Sequence, residues 1–258
     1  MEAFEESEFN DRDYVNSLAR GLEVIAAFTR TRPKMTLAEI SRNTGMQRAA
    51  VRRFLITLVR EGYAEKDDKH FYLKPKVLEL GYSALSSMSM LDVIQPAMNE
   101  LADTLQESVF AAVLAGDDVI YIARATSERL INVGITVGKR APAYAVSTGR
   151  VLLAAETEEV RDAYLDRVKP EKLTPKTISS KVKLRAAIEE ARIANYSIVD
   201  QELEVGLGAI SVPIRTSEGK VIAALNVCCP SSRTTMDDMQ KKILPELMAT
   251  AQKIAVAL

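Results

Sequence analysis

The segment Thr36 to Gly62, TLAEISRNTGMQRAAVRRFLITLVREG, constrains the fold more than any other stretch of this chain. Its apolar residues Leu37, Ile40, Met46, Val51, Phe54, Leu55 and Leu58 recur at helical spacing on either side of Gly45. That spacing predicts two short helices facing a common core, with Gly45 supplying the turn between them. Thr36 stands where an N-cap belongs, and Glu39 follows three residues on, the pattern of a capping box. The face left over on the second helix carries Gln47, Arg48, Ala49, Arg52 and Arg53. Such a face fits a DNA major groove, where arginine bonds guanine edges or phosphates and glutamine bonds adenine. A solvated helical hairpin shows the same pattern, so the hairpin alone leaves both readings open.

Charge and the following residues favour DNA. From Arg30 to Arg60 there are eight basic residues against one acid, Glu39, a local charge of +7. After the second helix, Tyr63-Ala-Glu, the polar turn Asp67-Asp68-Lys69-His70 and Phe71-Tyr72-Leu73 predict a hairpin where a wing would sit. Lys66, Lys69 and His70 would let that wing touch backbone phosphates. The chain as a whole is near neutral at −1, with residues 12–76 at +7 and residues 77–258 at −3. A nucleic-acid partner is therefore expected for the first third alone.

Composition excludes much else. At 258 residues, 47% hydrophobic and 27% charged, the chain has enough apolar content for a buried core and most simply forms two domains. No apolar run reaches the ~20 residues a membrane span requires, and the acidic start MEAFEESEFNDRD is unlike a signal peptide. A cytoplasmic protein with no membrane partner is expected. Cys228 and Cys229 are adjacent, so they form no disulfide framework. The single histidine, His70, leaves zinc sites and Ser-His-Asp or Cys-His catalysis without their parts. No phosphate-cradling glycine motif is present; Gly206-Leu207-Gly208 lacks a third glycine and a following helix. No metal, no cofactor and no catalytic residue are expected.

Beyond the hairpin the pattern changes. Leu78–Ser89 is helix-compatible, and Leu91–Gln106 follows as an amphipathic helix with Pro96 near its first turn. Val109–Ala115 and Val119–Ala125 are β-type runs joined by Gly116-Asp117-Asp118, and Leu130–Val137 is expected as a third strand. Helices are expected at 148–156, 158–167 and 181–194. Strands return at Tyr196–Asp200, Ala209–Thr216 and Lys220–Cys228, before a last helix, Met236–Ala257. Hairpin-linked strands flanked by helices imply an α+β domain with an antiparallel sheet. The expected division is an acidic disordered tail at 1–13, a winged helix-turn-helix at 14–76, a linker helix at 77–92 and an effector-binding domain at 93–258.

Several long motifs in order resemble the IclR-type transcriptional regulators. They are LAEISRNTGMQRAAVRRFLITLVREGYAEKDDKHFYLKPKVLELG, GDDVIYIARA, VGKRAPAYAVSTGRVLLA and DQELEVGLGAISVPIRTSEGKVIAALNV. DRDYVNSLARGLEVI, LELGYSALSSMS and VDQELEVGL are similar to the branch that controls aromatic-acid breakdown through protocatechuate and β-ketoadipate, including regulators responding to 4-hydroxybenzoate. The resemblance implies a winged helix, a linker helix and a GAF-like (profilin-like) sensor domain without enzymatic activity. It also implies homodimers, often paired into tetramers, on (pseudo)palindromic double-stranded operator DNA. The chain departs from the commoner pattern at Gln47-Arg48-Ala49-Ala50, which leaves the operator sequence open.

An effector site follows in part from the residues themselves. Ser147-Thr148-Gly149 opens an apolar helix, and free N–H groups at a helix start suit a carboxylate. A Ser or Thr that only caps the helix is the competing reading. The resemblance places Ser147, Thr148, Leu207, Ala209, Asn226 and Cys228 on the effector pocket. Asn226 is an amide inside an apolar strand and must find a partner. Cys228 reads as a small hydrophobe. Arg124 and Arg150 are candidate carboxylate clamps or ion-pair partners, and Tyr144 and Tyr121 would flank a ring or pack in the core.

The function expected is a ligand-responsive DNA-binding regulator of aromatic-acid catabolism whose effector is a small carboxylic acid. The alternative is a sensor acting by protein–protein contact.

Overall fold

The computed structural model describes residues 14–29, 31–80, 90–126 and 134–258, which form two compact units, one within 14–80 and one within 90–258. The expected acidic tail, most of the linker helix, Arg30 and the first part of the expected Leu130–Val137 strand lie outside these residues.

In the first unit the helical hairpin forms as its spacing predicts. Helix α1 (Asn16–Ala26) precedes a short strand β1 (Met35–Thr36), α2 (Leu37–Thr44) and α3 (Arg48–Arg60). The capping box is present: Thr36 N donates to Glu39 Oε2 at 2.7 Å and Glu39 N donates to Thr36 Oγ1 at 3.3 Å. Gly45 ends α2 at φ 68°, a conformation that costs glycine least. Ile40, Met46, Val51 and Leu55 are buried with Val24, Met35 and Phe71, and Leu37, Phe54 and Leu58 pack at the margin. Strands β2 (Ala64–Asp67) and β3 (His70–Leu73) close the wing around Asp68-Lys69, in a sheet ordered β1-β3-β2.

The second unit is α+β. Helix α4 (Met90–Leu105) leads into β4 (Ser108–Ala115), β5 (Asp118–Ala125), β6 (Arg140–Pro142) and α5 (Ser147–Ala155). Then come α6 (Glu158–Arg167), α7 (Lys181–Ala194), β7 (Ser197–Asp200), β8 (Leu207–Arg215) and β9 (Val221–Pro230). A turn of helix at Met236–Asp238 and a π-helical turn at Met239–Ile243 run into α8 (Leu244–Ala257). The six strands form one antiparallel sheet in the order β6-β5-β4-β9-β8-β7. Helix α5 packs on β8, β9 and β4 and against α7, while α4 and α8 pack on each other and on the sheet. Strand alternation sorts the residues: Ala224 and Cys228 join the core beneath α5, and the intervening Leu225 and Val227 point the other way.

The structure corrects three expectations. Among the described residues the third strand is Arg140–Pro142; residues 134–137, the described end of the strand expected at Leu130–Val137, are irregular, and Gly138 (φ 83°) turns the chain so that Ala141 pairs with Val119. Proline is tolerated there because β6 is an edge strand. Pro96 lies inside α4 rather than at its first turn. The last helix is interrupted by the π turn, so it is not a single regular helix from Met236.

Candidate DNA interface and effector site

Packing Val51 and Leu55 inward fixes which residues of α3 look outward. Gln47, Arg48, Ala49, Arg52 and Arg53 are all exposed. Gln47 stands at the N-cap position but makes no side-chain cap bond, so its amide is free to meet a partner. The side chains of Arg48, Arg52 and Arg53 form no ion pair or hydrogen bond among the described residues. Like charges at i, i+4 disfavour a helix slightly; here Arg48 and Arg52 stand four residues apart, with Arg53 beside them, and the three guanidiniums share one face unpaired. On the wing, Lys66, Lys69 and His70 are exposed too. Two wing acids are neutralised from outside the hairpin, Asp67 by Lys34 at 3.2 Å and Glu65 by Lys74 at 3.8 Å. Thr36 differs from the others: its hydroxyl donates to Glu39 Oε2 at 2.7 Å and is committed to the cap.

In the second unit the predicted polar residues meet under α5. Val146 occupies the N-cap position with no side-chain bond, so neither Ser147 nor Thr148 caps the helix. Ser147 Oγ instead reaches the sheet, 2.7 Å from Ser211 Oγ on β8. Asn226 Nδ2 donates to Ser147 Oγ at 3.1 Å and to Ser211 Oγ at 3.0 Å, and Cys228 Sγ donates to Asn226 Oδ1 at 2.9 Å. The four residues are at most 2% exposed. Asn226 thus finds the partners that a buried amide needs. Burial pushes the Cys228 thiol above its ordinary range, in keeping with a packed hydrophobe rather than a reactive group.

Beside this cluster lies a cavity of about 20 Å³, room for about one water molecule. Leu207, Ala209, Asn226 and Cys228 all line it, together with Ala145 and Val146 just before α5, and with Tyr121. Burial raises the Tyr121 phenol above its usual range, the neighbouring Cys228 adds to this, and the approach of Thr148 offsets it slightly. Thr148 Oγ1 nevertheless makes no hydrogen bond of standard geometry and is buried without a partner. Ser147 contacts the cavity wall through Asn226, and Gly149 serves packing: a Cβ there would overlap the Ala143 carbonyl.

The remaining candidates stand elsewhere. Tyr144 OH donates to Glu171 O at 3.3 Å and accepts from Glu171 N at 3.1 Å, tying the start of α5 to the 168–173 segment. Arg150 is buried and paired with Glu202 at 2.6 Å, so its charge is already met inside the protein. Arg124 lies 6.0 Å from the Phe110 ring centroid with its Nε buried and unpartnered. Sequence reasoning missed Ser211 and Glu202. Ser211 carried a usable signal, a hydroxyl within the apolar strand Ala209–Thr216.

Residues 17–68 match the model of the IclR helix-turn-helix domain, and residues 82–256 match the bacterial transcriptional regulator IclR C-terminal model. The chain belongs to the IclR family of transcriptional regulators. A Pseudomonas putida relative, the Pca regulon regulatory protein, is 44% identical over 245 residues, covering 95% of this chain and 84% of that protein. The p-hydroxybenzoate hydroxylase transcriptional activator of Acinetobacter baylyi is 32% identical over 252 residues, covering 96% and 93%. Among solved structures, an IclR homolog from Microbacterium hydrocarbonoxydans complexed with 4-hydroxybenzoate aligns at TM-score 0.79 and 26% identity, covering 93% of this chain and 98% of that one. As an IclR-family regulator, this protein pairs a helix-turn-helix with a sensor unit. Among the described residues no group of three or more His, Cys, Asp or Glu is placed to hold a metal, and no helix is long and apolar enough to cross a membrane.

Proposed function

We propose that this IclR-family regulator controls genes of aromatic-acid breakdown, in the protocatechuate and β-ketoadipate routes, by binding operator DNA and a small carboxylic acid. It acts by binding alone and turns over no substrate. The observation that carries the effector half is the cavity against the start of α5, with the buried, unpartnered Thr148 hydroxyl close to Tyr121 on its wall. Helix N–H groups at Ser147, Thr148 and Gly149 would hold the carboxylate. Tyr121, Leu207, Ala209 and Cys228 would enclose the body of the acid, with Asn226 bonding its polar substituents. Arg124, which has no ion pair among the described residues, stands across Phe110 from Asn226 in the strand register.

The cavity is too small for a ring-bearing acid, so binding moves a wall. Apart from Val146 at the N-cap of α5, the lining residues outside helix and sheet are Ile135, in the irregular stretch 134–139, and Leu203, in the turn at 201–206. They would yield before the strands. Arg48 and Arg52 would contact bases or phosphates, Gln47 a base and Arg53 a phosphate, with Lys66, Lys69 and His70 on the wing. The exposed apolar residues Leu18 and Leu22 on α1, with Tyr14 just ahead of it, support a homodimer.

Calorimetric titration with protocatechuate, 4-hydroxybenzoate and β-ketoadipate tests the effector half. One acid should bind the wild type and fail to bind Ser147→Phe, while both proteins retain equal DNA affinity. Loss of DNA binding along with acid binding in that variant, or no binding of any acid to the wild type, would count against it.

A further inference from the structure

The exposed face of α3 uses three of the eight basic residues between Arg30 and Arg60. Three others, Arg32, Lys34 and Arg42, come together elsewhere on the same unit. They line a groove of about 550 Å³ between the loop at 31–34 and the outer side of α2, with Asn43 beside Arg42. Its single acid, Glu39, is occupied by the capping box. The side chains of Arg32 and Arg42 are exposed and have no ion pair or hydrogen bond among the described residues.

The groove is joined at both ends to elements that face DNA. At one end Lys34 Nζ lies 3.2 Å from Asp67 Oδ2 at the tip of β2 and 4.9 Å from the centroid of the Tyr72 ring on β3. At the other, Arg42 stands in the last turn of α2, just ahead of Gly45 and the start of α3. Helices α2 and α3 pack on each other, so Arg42 and the cations of α3 belong to one packed hairpin.

We propose that this groove is a second DNA contact, in which Arg32 and Arg42 seat a backbone phosphate outside the base-reading helix. The proposal rests on the reading of this unit as DNA-binding. Guanidinium groups match phosphate oxygens in a two-pronged geometry that lysine does not reproduce. A contact of this kind fixes position without reading sequence. Free inorganic phosphate offers the same oxygens, so the test must separate the two sources.

Fluorescence anisotropy of the full-length protein on a mixed-sequence duplex of about 30 base pairs, across roughly 50 to 200 mM KCl, supplies that test. Arg32→Ala/Arg42→Ala should weaken binding about tenfold at low salt and flatten the slope of log affinity against log salt by about 1 per lost phosphate contact. Arg32→Lys/Arg42→Lys should restore most of the slope and only part of the affinity, which also guards against an alanine variant that folds poorly. An unchanged slope in the alanine variant would overturn the proposal. So would a loss confined to one DNA sequence, or stabilisation by inorganic phosphate that depends on the two arginines while the DNA slope stays the same. Failure of the wild type to bind any duplex would instead remove the DNA-binding reading itself.

Discussion

The two units carry their polar residues in opposite ways. On α3, Gln47, Arg48, Arg52 and Arg53 are exposed and unpaired, and the core beneath them is wholly apolar. Under α5, Ser147, Ser211, Asn226 and Cys228 are buried and satisfy one another, and the cavity opens next to them. Under the proposed function a polyanion would be met on an open surface, where unpaired charge is solvated until DNA replaces the water and counterions. A small acid would be met inside, where every polar group must already have a partner or carry a penalty. Substitutions should therefore separate binding from stability in the first unit and couple them in the second.

The sharpest way to break that contrast is the buried ion pair. Arg150 and Glu202 have side chains only 4% and 8% exposed, and Glu202 Oε2 also accepts from Ile178 N at 3.0 Å. Glu202→Ala should cost about 3–5 kcal/mol, because it strands a buried guanidinium. Arg150→Met/Glu202→Leu should recover much of that loss. Urea unfolding followed by a probe in the second unit checks both. Next in size, Asn226→Ala removes the centre of the hydroxyl cluster. It should lower stability by about 1–3 kcal/mol and abolish the acid response, while DNA affinity without acid stays as in the wild type.

Arg48→Ala makes the opposite prediction. Unfolding should shift by less than about 0.5 kcal/mol, while discrimination between operator and mixed-sequence DNA falls by about 1–3 kcal/mol if the contact is a bidentate one to a base. A stability loss as large as that of Asn226→Ala would erase the distinction between the units. The smallest effect concerns pH. Thr36 donors hold the Glu39 carboxylate below its ordinary range. Its contribution is thus present above the pKa of the unfolded chain and is lost as pH falls through the lower, folded value. Glu39→Ala should therefore destabilise the first unit at neutral pH and make less difference once the wild-type carboxyl is protonated, as thermal melts at the two pH values would show.

How much of this was legible in the sequence follows from the same contrast. The recognition face is written within one 13-residue helix, and the residues that pack it, from Leu37 to Leu58, sit at a period the chain displays openly. The hydroxyl cluster joins positions 147, 211, 226 and 228, brought together by strand pairing that local pattern does not reveal. Asn226 could be singled out as an amide needing a partner, but the partner could not be named. For Arg150 the sequence left a ligand clamp and an ion-pair partner both open, because its charge was visible and Glu202, 52 residues away, was not visibly its neighbour. The described end, 134–137, of the strand expected at Leu130–Val137 departs from that expectation for a related reason. Its apolar alternation was real, yet the β5 edge pairs with Arg140–Pro142, beyond the turn at Gly138.

The central claim is that acid bound in the sensor unit alters the protein's grip on DNA. The direct test is a pair of titrations on the DNA upstream of the protein's own gene: DNA affinity with and without the acid, and acid affinity with and without the DNA. Linkage requires the two ratios to be equal, and a factor of about 5 to 150 is typical of such coupling. Equal ratios well away from one are the predicted result. Tight, independent binding of both ligands, with each ratio at one, would contradict the account.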